Sequence, residues 1–385
     1  MKKRAFLFLN ILIIVASTTS YSQNSQNTGY RFKTINEIPH TSVKNQYLSG
    51  TCWAYASISF IESEIIKNTG KSYDLSEMYI VRNVYPLKAE KYVRLQGNTT
   101  FGPGGEAHDV VNIIKTSGMC PEDAYNGLKI GEDKPNHGEM DAVLKAIVNA
   151  VIKKEGGDIT PVWLDAFNSV LNIYLGEIPS SFKIDGKKYT PREFTKQVGI
   201  NPDDYVELTS FTHHPFYQPF ILEIPDNWDN GYYYNLPINE LINVIDNALS
   251  NGYSVAWDGD VSEKGFSQKN GIAIVPQIPW KEMSENEKEA MFKKPGIEQT
   301  VNQEMRQKTF DNQSTTDDHL MHIIGLVNDQ NGTKYYKTKN SWGTDNNDYG
   351  GYIHLSEAYV LLKTISIMVN KKAIPSDIAN KLDIK

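Results

Sequence analysis

The period of the apolar residues changes along the chain, and that change limits the fold more than any other feature. Ala54, Ile58, Ile61 and Ile65 recur at helical spacing, and Gly70 follows as a stop signal, which predicts a helix from Cys52 to about Lys67. The same test predicts helices over 107–116, 138–154, 160–175 and 238–249. Beyond that point the pattern turns to short β-type runs separated by Gly, Asn and Asp: Ser254–Trp257, Met321–Val327, Thr333–Thr338, Gly351–Leu355 and Ile365–Val369. A helical middle followed by a strand-rich last third predicts an α+β protein of two lobes.

Length and charge narrow the function. A chain of 385 residues buries a sizeable core as one large domain or two modest ones. Its formal net charge of −7, without a long basic run, argues against nucleic-acid partners, which need phosphate neutralised. Two cysteines exclude a disulfide scaffold and a Cys-only zinc site. No His-x3-His helix pair is present, and neither a metal nor another cofactor is expected.

The first residues read as an address. Lys2, Lys3 and Arg4 precede an apolar run from Ala5 to Ala16, and Ser20 and Ser22 have the spacing of a cleavage site. The run is well short of the roughly 20 residues that span a bilayer. Residues 1–22 are therefore expected to be a signal peptide and 23–40 a flexible segment. The mature protein is expected to be exported to a periplasmic or extracellular space, without stable membrane association.

One short segment carries the strongest chemical signal. Cys52 sits where the first helix begins, in Gln46-Tyr47-Leu48-Ser49-Gly50-Thr51-Cys52-Trp53-Ala54. Helix N-termini carry partial positive charge and unpaired N–H groups, which favour a thiolate nucleophile. Ser49 and Gly50 keep the approach open. The Gln46 amide and the Cys52 N–H are placed to donate to an oxyanion. A nucleophilic cysteine needs a base. His319 and His322 open an apolar β-run with opposite parity, so only one can face a cleft, and parity alone does not choose between them. His213 and His214 lie in a Pro- and aromatic-rich loop and read as structural. Asn340, in Lys339-Asn340-Ser341-Trp342-Gly343, offers an oxygen to fix an imidazole tautomer, and Trp342 can shield that bond.

Gln-x5-Cys-Trp-Ala, then Asp-His with Gly six residues on, then Lys-Asn-Ser-Trp-Gly, resembles the papain superfamily of cysteine peptidases. The resemblance implies Cys52 as nucleophile, His319 as general acid/base, Asn340 as its orienting partner and Gln46 as oxyanion donor. It also implies the fold: a helical lobe carrying Cys52, a β-barrel-like lobe carrying His319, and peptide or protein substrate in the groove between. Gly104-Gly105, Gly118-Met119-Cys120-Pro121, Tyr234-Asn235-Leu236-Pro237 and Gly252-Tyr253-Ser254-Val255-Ala256-Trp257 are similar to the bleomycin hydrolase and aminopeptidase C branch. The 214 residues from Gly105 to His319 exceed what a minimal papain-like domain needs. Residues 41–385 therefore read as a papain-like domain with a helical insertion at about 126–230. Gly104, Gly105, Trp342 and Trp53 are expected to bind substrate, and Val255–Trp257 to border a specificity pocket. Cys120 reads as a free, buried thiol. Ser49 stands where many papain relatives have a disulfide cysteine, so the lobe is expected to hold by packing. Only residues 23–51 separate the expected cleavage site from Cys52, too few for the long inhibitory propeptide of many relatives, so no zymogen step is expected. Aminopeptidase-like action is the expectation. Lys385 follows Asn340 by only 45 residues, fewer than the C-terminal arm of bleomycin hydrolases uses, which keeps endopeptidase action as a competing reading. An inactive papain-fold binding protein is the other. The resemblance also implies a homo-oligomer.

Overall fold

The computed structural model describes residues 29–384; the expected signal peptide lies outside them. Helices α1 (Cys52–Thr69), α2 (Glu77–Arg94), α3 (Ala107–Ser117), α4 (Gly138–Ile152), α5 (Val162–Leu175) and α6 (Pro191–Gln197) gather on one side. Helix α7 (Ile238–Ser250) lies on the other. Between them runs a mixed sheet of eleven strands. These are β1 (Lys33–Glu37), then β4 (Tyr205–Thr209), β5 (Pro219–Ile221), β6 (Tyr232–Asn235), β7 (Val255–Gly259), β8 (Phe266–Ser267), β9 (Ile272–Ala273), β10 (His319–Asn328), β11 (Lys334–Lys339), β12 (Tyr352–Ser356) and β13 (Thr364–Asn370). The strands β2 (Phe182–Ile184) and β3 (Lys187–Tyr189) form a separate hairpin.

Helix α1 is the central rod. Its residues from Trp53 to Ile65 are buried, so the apolar stripe at Ile58, Ile61 and Ile65 meets protein on every side. Each such isoleucine contributes roughly 1.5–3 kcal/mol through burial. The helix ends where Gly70 adopts the left-handed conformation (φ 69°) and donates its N–H to the Ile66 carbonyl. The central strands of the sheet are buried on both faces. Ala256, Leu320 and Met368 join the core of the helical side, while Trp257, Met321, Ile323 and Ile367 pack with α7. Alternation along β7, β10 and β13 thus divides the strands between two cores.

Two expectations change. Residues 33–37, placed in the flexible segment, form β1, antiparallel to β10. Their side chains are mostly exposed, so backbone pairing rather than an apolar pattern holds them. The stretch at 126–230 is not purely helical either. It carries the β2–β3 hairpin and strands β4 and β5, and β4 joins β13 in the main sheet. Tyr205, Glu207, Leu208 and Thr209 are all buried, and a short run closed off on both faces leaves no clean period to read.

Candidate active site

Three chain segments meet at the start of α1. The first residue of α1, Cys52, is partly exposed. Its sulfur faces the backbone N–H of Leu320 in β10. Burial pushes the thiol up to about 12; the Leu320 N–H works against this, and the charges of Asp317, Asp258 and Asp226 add to the rise.

His319 opens β10 and pairs with Gly259 of β7. Its Nε2 lies 2.7 Å from Asn340 Oδ1. The same oxygen accepts the Ser341 backbone N–H at 2.7 Å, and Asn340 Nδ2 donates to Gln268 Oε1 at 2.8 Å. A backbone N–H can only donate, so the oxygen is identified and the imidazole hydrogen sits on Nε2. The Trp342 ring lies over the imidazole at 4.6 Å between centroids. Burial lowers His319 to about 4. Burial thus works against charge on either group, and so against the thiolate that the helix terminus favours.

Gln46 is buried, and its Oε1 accepts the Ser341 hydroxyl at 2.5 Å. Its backbone N–H donates to the Ser341 carbonyl. The side-chain bond fixes the amide's oxygen, and its NH2 group has no protein acceptor among the described residues. His322, of opposite parity to His319, points toward α1 and meets Ser59 Oγ at 2.8 Å through Nδ1. It is fully buried.

The expected substrate contacts divide. Trp342 covers the imidazole. Trp53 does not face the groove: it is 1% exposed, donates Nε1 to the Pro103 carbonyl, and packs beneath Gly105. Gly104 is covered by Asp226, whose carboxylate fills the space that a Cβ there would take. Val255–Trp257 lie within the sheet, all buried, and Trp257 Nε1 donates to Thr364 Oγ1; they border no groove. Cys120 is buried and free. His213 and His214 share Glu223 at the surface.

Sequence reasoning missed the acidic wall. Glu106, Asp258 and Asp317 bring carboxylate oxygens within 4.8 Å of one another. They are far apart in sequence, and only the Asp317-Asp318 doublet before His319 offered a hint.

The chain matches the profile described as the peptidase C1-like family over residues 170–385, and that of the papain family cysteine proteases over residues 30–146. It is 22% identical to aminopeptidase G of Lactobacillus delbrueckii subsp. lactis, across 89% of this chain and 83% of that protein. It is 23% identical to aminopeptidase C of Listeria monocytogenes, with the same shares covered. The crystal structure of PepW from Lactobacillus rhamnosis HN001 superposes with a TM-score of 0.72 at 18% identity, across 91% of this chain and 84% of that one. With more than half its length matched by one family profile, the chain belongs to the peptidase C1-like family of the papain superfamily and is a cysteine-type peptidase.

Proposed function

We propose that the chain is an aminopeptidase-like thiol peptidase that acts through a Cys52 thioester. The observation that carries this reading is the His319–Asn340 bond, which puts the ring hydrogen on Nε2 and leaves Nδ1 as a base. As peptide binds, His319 Nδ1 takes the proton from Cys52 Sγ, and the sulfur attacks the scissile carbonyl carbon. The Gln46 amide and the Cys52 backbone N–H donate to the oxyanion, each worth roughly 2.7–4 kcal/mol. The imidazolium then returns its proton to the leaving amine. A water, deprotonated by the same nitrogen, hydrolyses the thioester and restores the thiol. Trp342 keeps solvent from the His319–Asn340 bond. The names of the relatives support N-terminal cleavage.

Alanyl-7-amido-4-methylcoumarin and its N-acetyl form test this reading directly. The wild type should cleave the free amine at least tenfold better, and Cys52→Ala should release no fluorophore. Equal rates on the two substrates would refute aminopeptidase action. The charged start and apolar run at residues 2–16 support export. N-terminal sequencing of protein from the producing cells should find residues near Ser22 removed; an intact Met1 in the cytosol would refute this.

A further inference from the structure

Glu106 and Asp258 are 0% and 1% exposed, and among the described residues no donor reaches their four carboxylate oxygens, Asp258 sharing only a proton with Asp317. Asp317 adds a third carboxylate, partly exposed, with an unpaired oxygen. The Tyr233 hydroxyl is buried, also unpaired, and within electrostatic reach of all three. Lys88, whose charge reaches Glu106 and Asp226, directs its Nζ to the carbonyls of Gly102 and Gly104 instead. Unpaired buried carboxylates are costly, so such a nest either holds protons or takes a cation.

Its position says which cation. Asp258 stands opposite Leu320 in the sheet, and the Leu320 N–H meets the Cys52 sulfur. Asp317 precedes His319 by two residues, and Glu106 follows the Gly104-Gly105 pair. The nest is thus within electrostatic reach of the reacting sulfur. A loop from Leu222 to Gly231 folds over Gly104, tied across its base by Asn227 Nδ2, which donates to the carbonyls of Leu222 and Gly231. We infer that Glu106, Asp258 and Asp317 anchor a primary ammonium group of the bound peptide beside the scissile bond. This deepens the aminopeptidase reading and rests on it.

Three carboxylates match the three N–H donors of an ammonium. When the nest is empty, burial and mutual repulsion hold Glu106 and Asp258 well above the ordinary carboxyl range and Asp317 at about 7. The other ionisable groups around it are Lys88, Asp226, Tyr233 and Glu207, the last paired with His108. An arriving ammonium takes the place of the proton shared by Asp258 and Asp317 and supplies donors to oxygens that have none, and the Cys52 sulfur lies within its electrostatic reach.

The test compares three coumarin amides: alanyl, propionyl (no amine) and Nα-acetyl-lysyl. Asp258→Asn should lower the alanyl-to-propionyl ratio of kcat/KM at least tenfold, and Asp317→Asn, at a partly exposed site, serves if the first variant fails to fold. Dependence on Asp258 for the acetyl-lysyl substrate alone would support the nest and assign it to a lysine side chain. A second arm measures alkylation of Cys52 by iodoacetamide. Methylammonium chloride should change its rate in the wild type relative to equal sodium chloride, and not in Asp258→Asn. If the wild type cleaves alanyl and propionyl amides alike while the methylammonium effect persists, the aminopeptidase reading fails and the nest stands. If the alanyl preference survives both substitutions and methylammonium has no effect, the nest is refuted and the reading stands. Stabilisation by calcium or zinc that is lost in Asp258→Asn, with no amine effect, would also refute it.

Discussion

The two histidines of β10 show how neighbouring residues of one type divide their roles. Lys339 Nζ donates to Ser59 Oγ at 2.8 Å, so the Ser59 hydroxyl gives its own hydrogen to His322 Nδ1. His322 is thereby a neutral acceptor in the seam between α1 and the sheet, while its Nε2 is buried without a partner. Nothing in that arrangement touches the sulfur. His322→Ala should cost about 1–3 kcal/mol of stability by leaving Ser59 and Lys339 underpaired, read as a lower urea midpoint, while turnover changes by only a few-fold. His319→Ala should lose roughly 10²–10⁴-fold in kcat at nearly unchanged stability. The reverse pattern would exchange the two assignments. The reacting residues were legible because each stands in a short, distinctive string. The carboxylate nest was not, because Glu106, Asp258 and Asp317 are unremarkable one at a time and meet only through the fold.

At the scale of elements, legibility followed amphipathicity. Helices α3 and α7 each have one clear apolar face, and their limits agree with the expected ones to within a residue. Helix α2 has no periodic signature in the sequence. It is buried on several sides, holds Pro86 in its interior, and shows no clean stripe. Its Ser76 cap, which accepts the Tyr79 N–H at 3.0 Å, was the available signal. The β2–β3 hairpin also had a signal in Asp185-Gly186, both at positive φ. The loop carrying Asp226 is held by an element that periodicity cannot reveal. Trp228 Nε1 donates to Asp109 Oδ2 at 2.9 Å, which ties the loop to the first turn of α3. Gly104 leaves the room this docking needs, since a Cβ there would lie 1.9 Å from Asp226 Oδ2. Gly104→Ala should therefore lift the loop, at about 1–3 kcal/mol of overpacking. Limited proteolysis should cut faster between residues 222 and 231, and the preference for free amines should weaken. Unchanged cleavage kinetics at that loop would show that the two loops do not depend on each other.

Across the whole molecule, acidic composition is partly an interior property. Burial raises Glu298 to about 7, although its Oε2 accepts both the Ser356 hydroxyl and the Val275 N–H. Burial raises Glu122 to about 8. Each of these carboxyls keeps a proton in the folded chain that the unfolded chain has released, so each withdraws stability as pH rises from about 4.3 toward its folded value. The buried imidazoles of His137, His319 and His354 are held down to about 4 and act in the opposite sense. Their effect raises stability with pH only up to about 6.5, the unfolded value. Burial holds Lys339 down to about 8, so its linkage acts only above that pH. Between pH 6.5 and 8 the carboxyls act together with His108, which Glu207 and Asp229 hold well above its ordinary value against burial, each group with a slope of up to about 1.4 kcal/mol per pH unit. The unfolding midpoint in urea should fall across that window. Glu298→Gln keeps an oxygen for both donors but has no proton to lose, so its midpoint should fall less steeply than that of the wild type. Parallel slopes for the two proteins would mean that Glu298 is already ionised at pH 6.5, with the Ser356 and Val275 donors outweighing its burial.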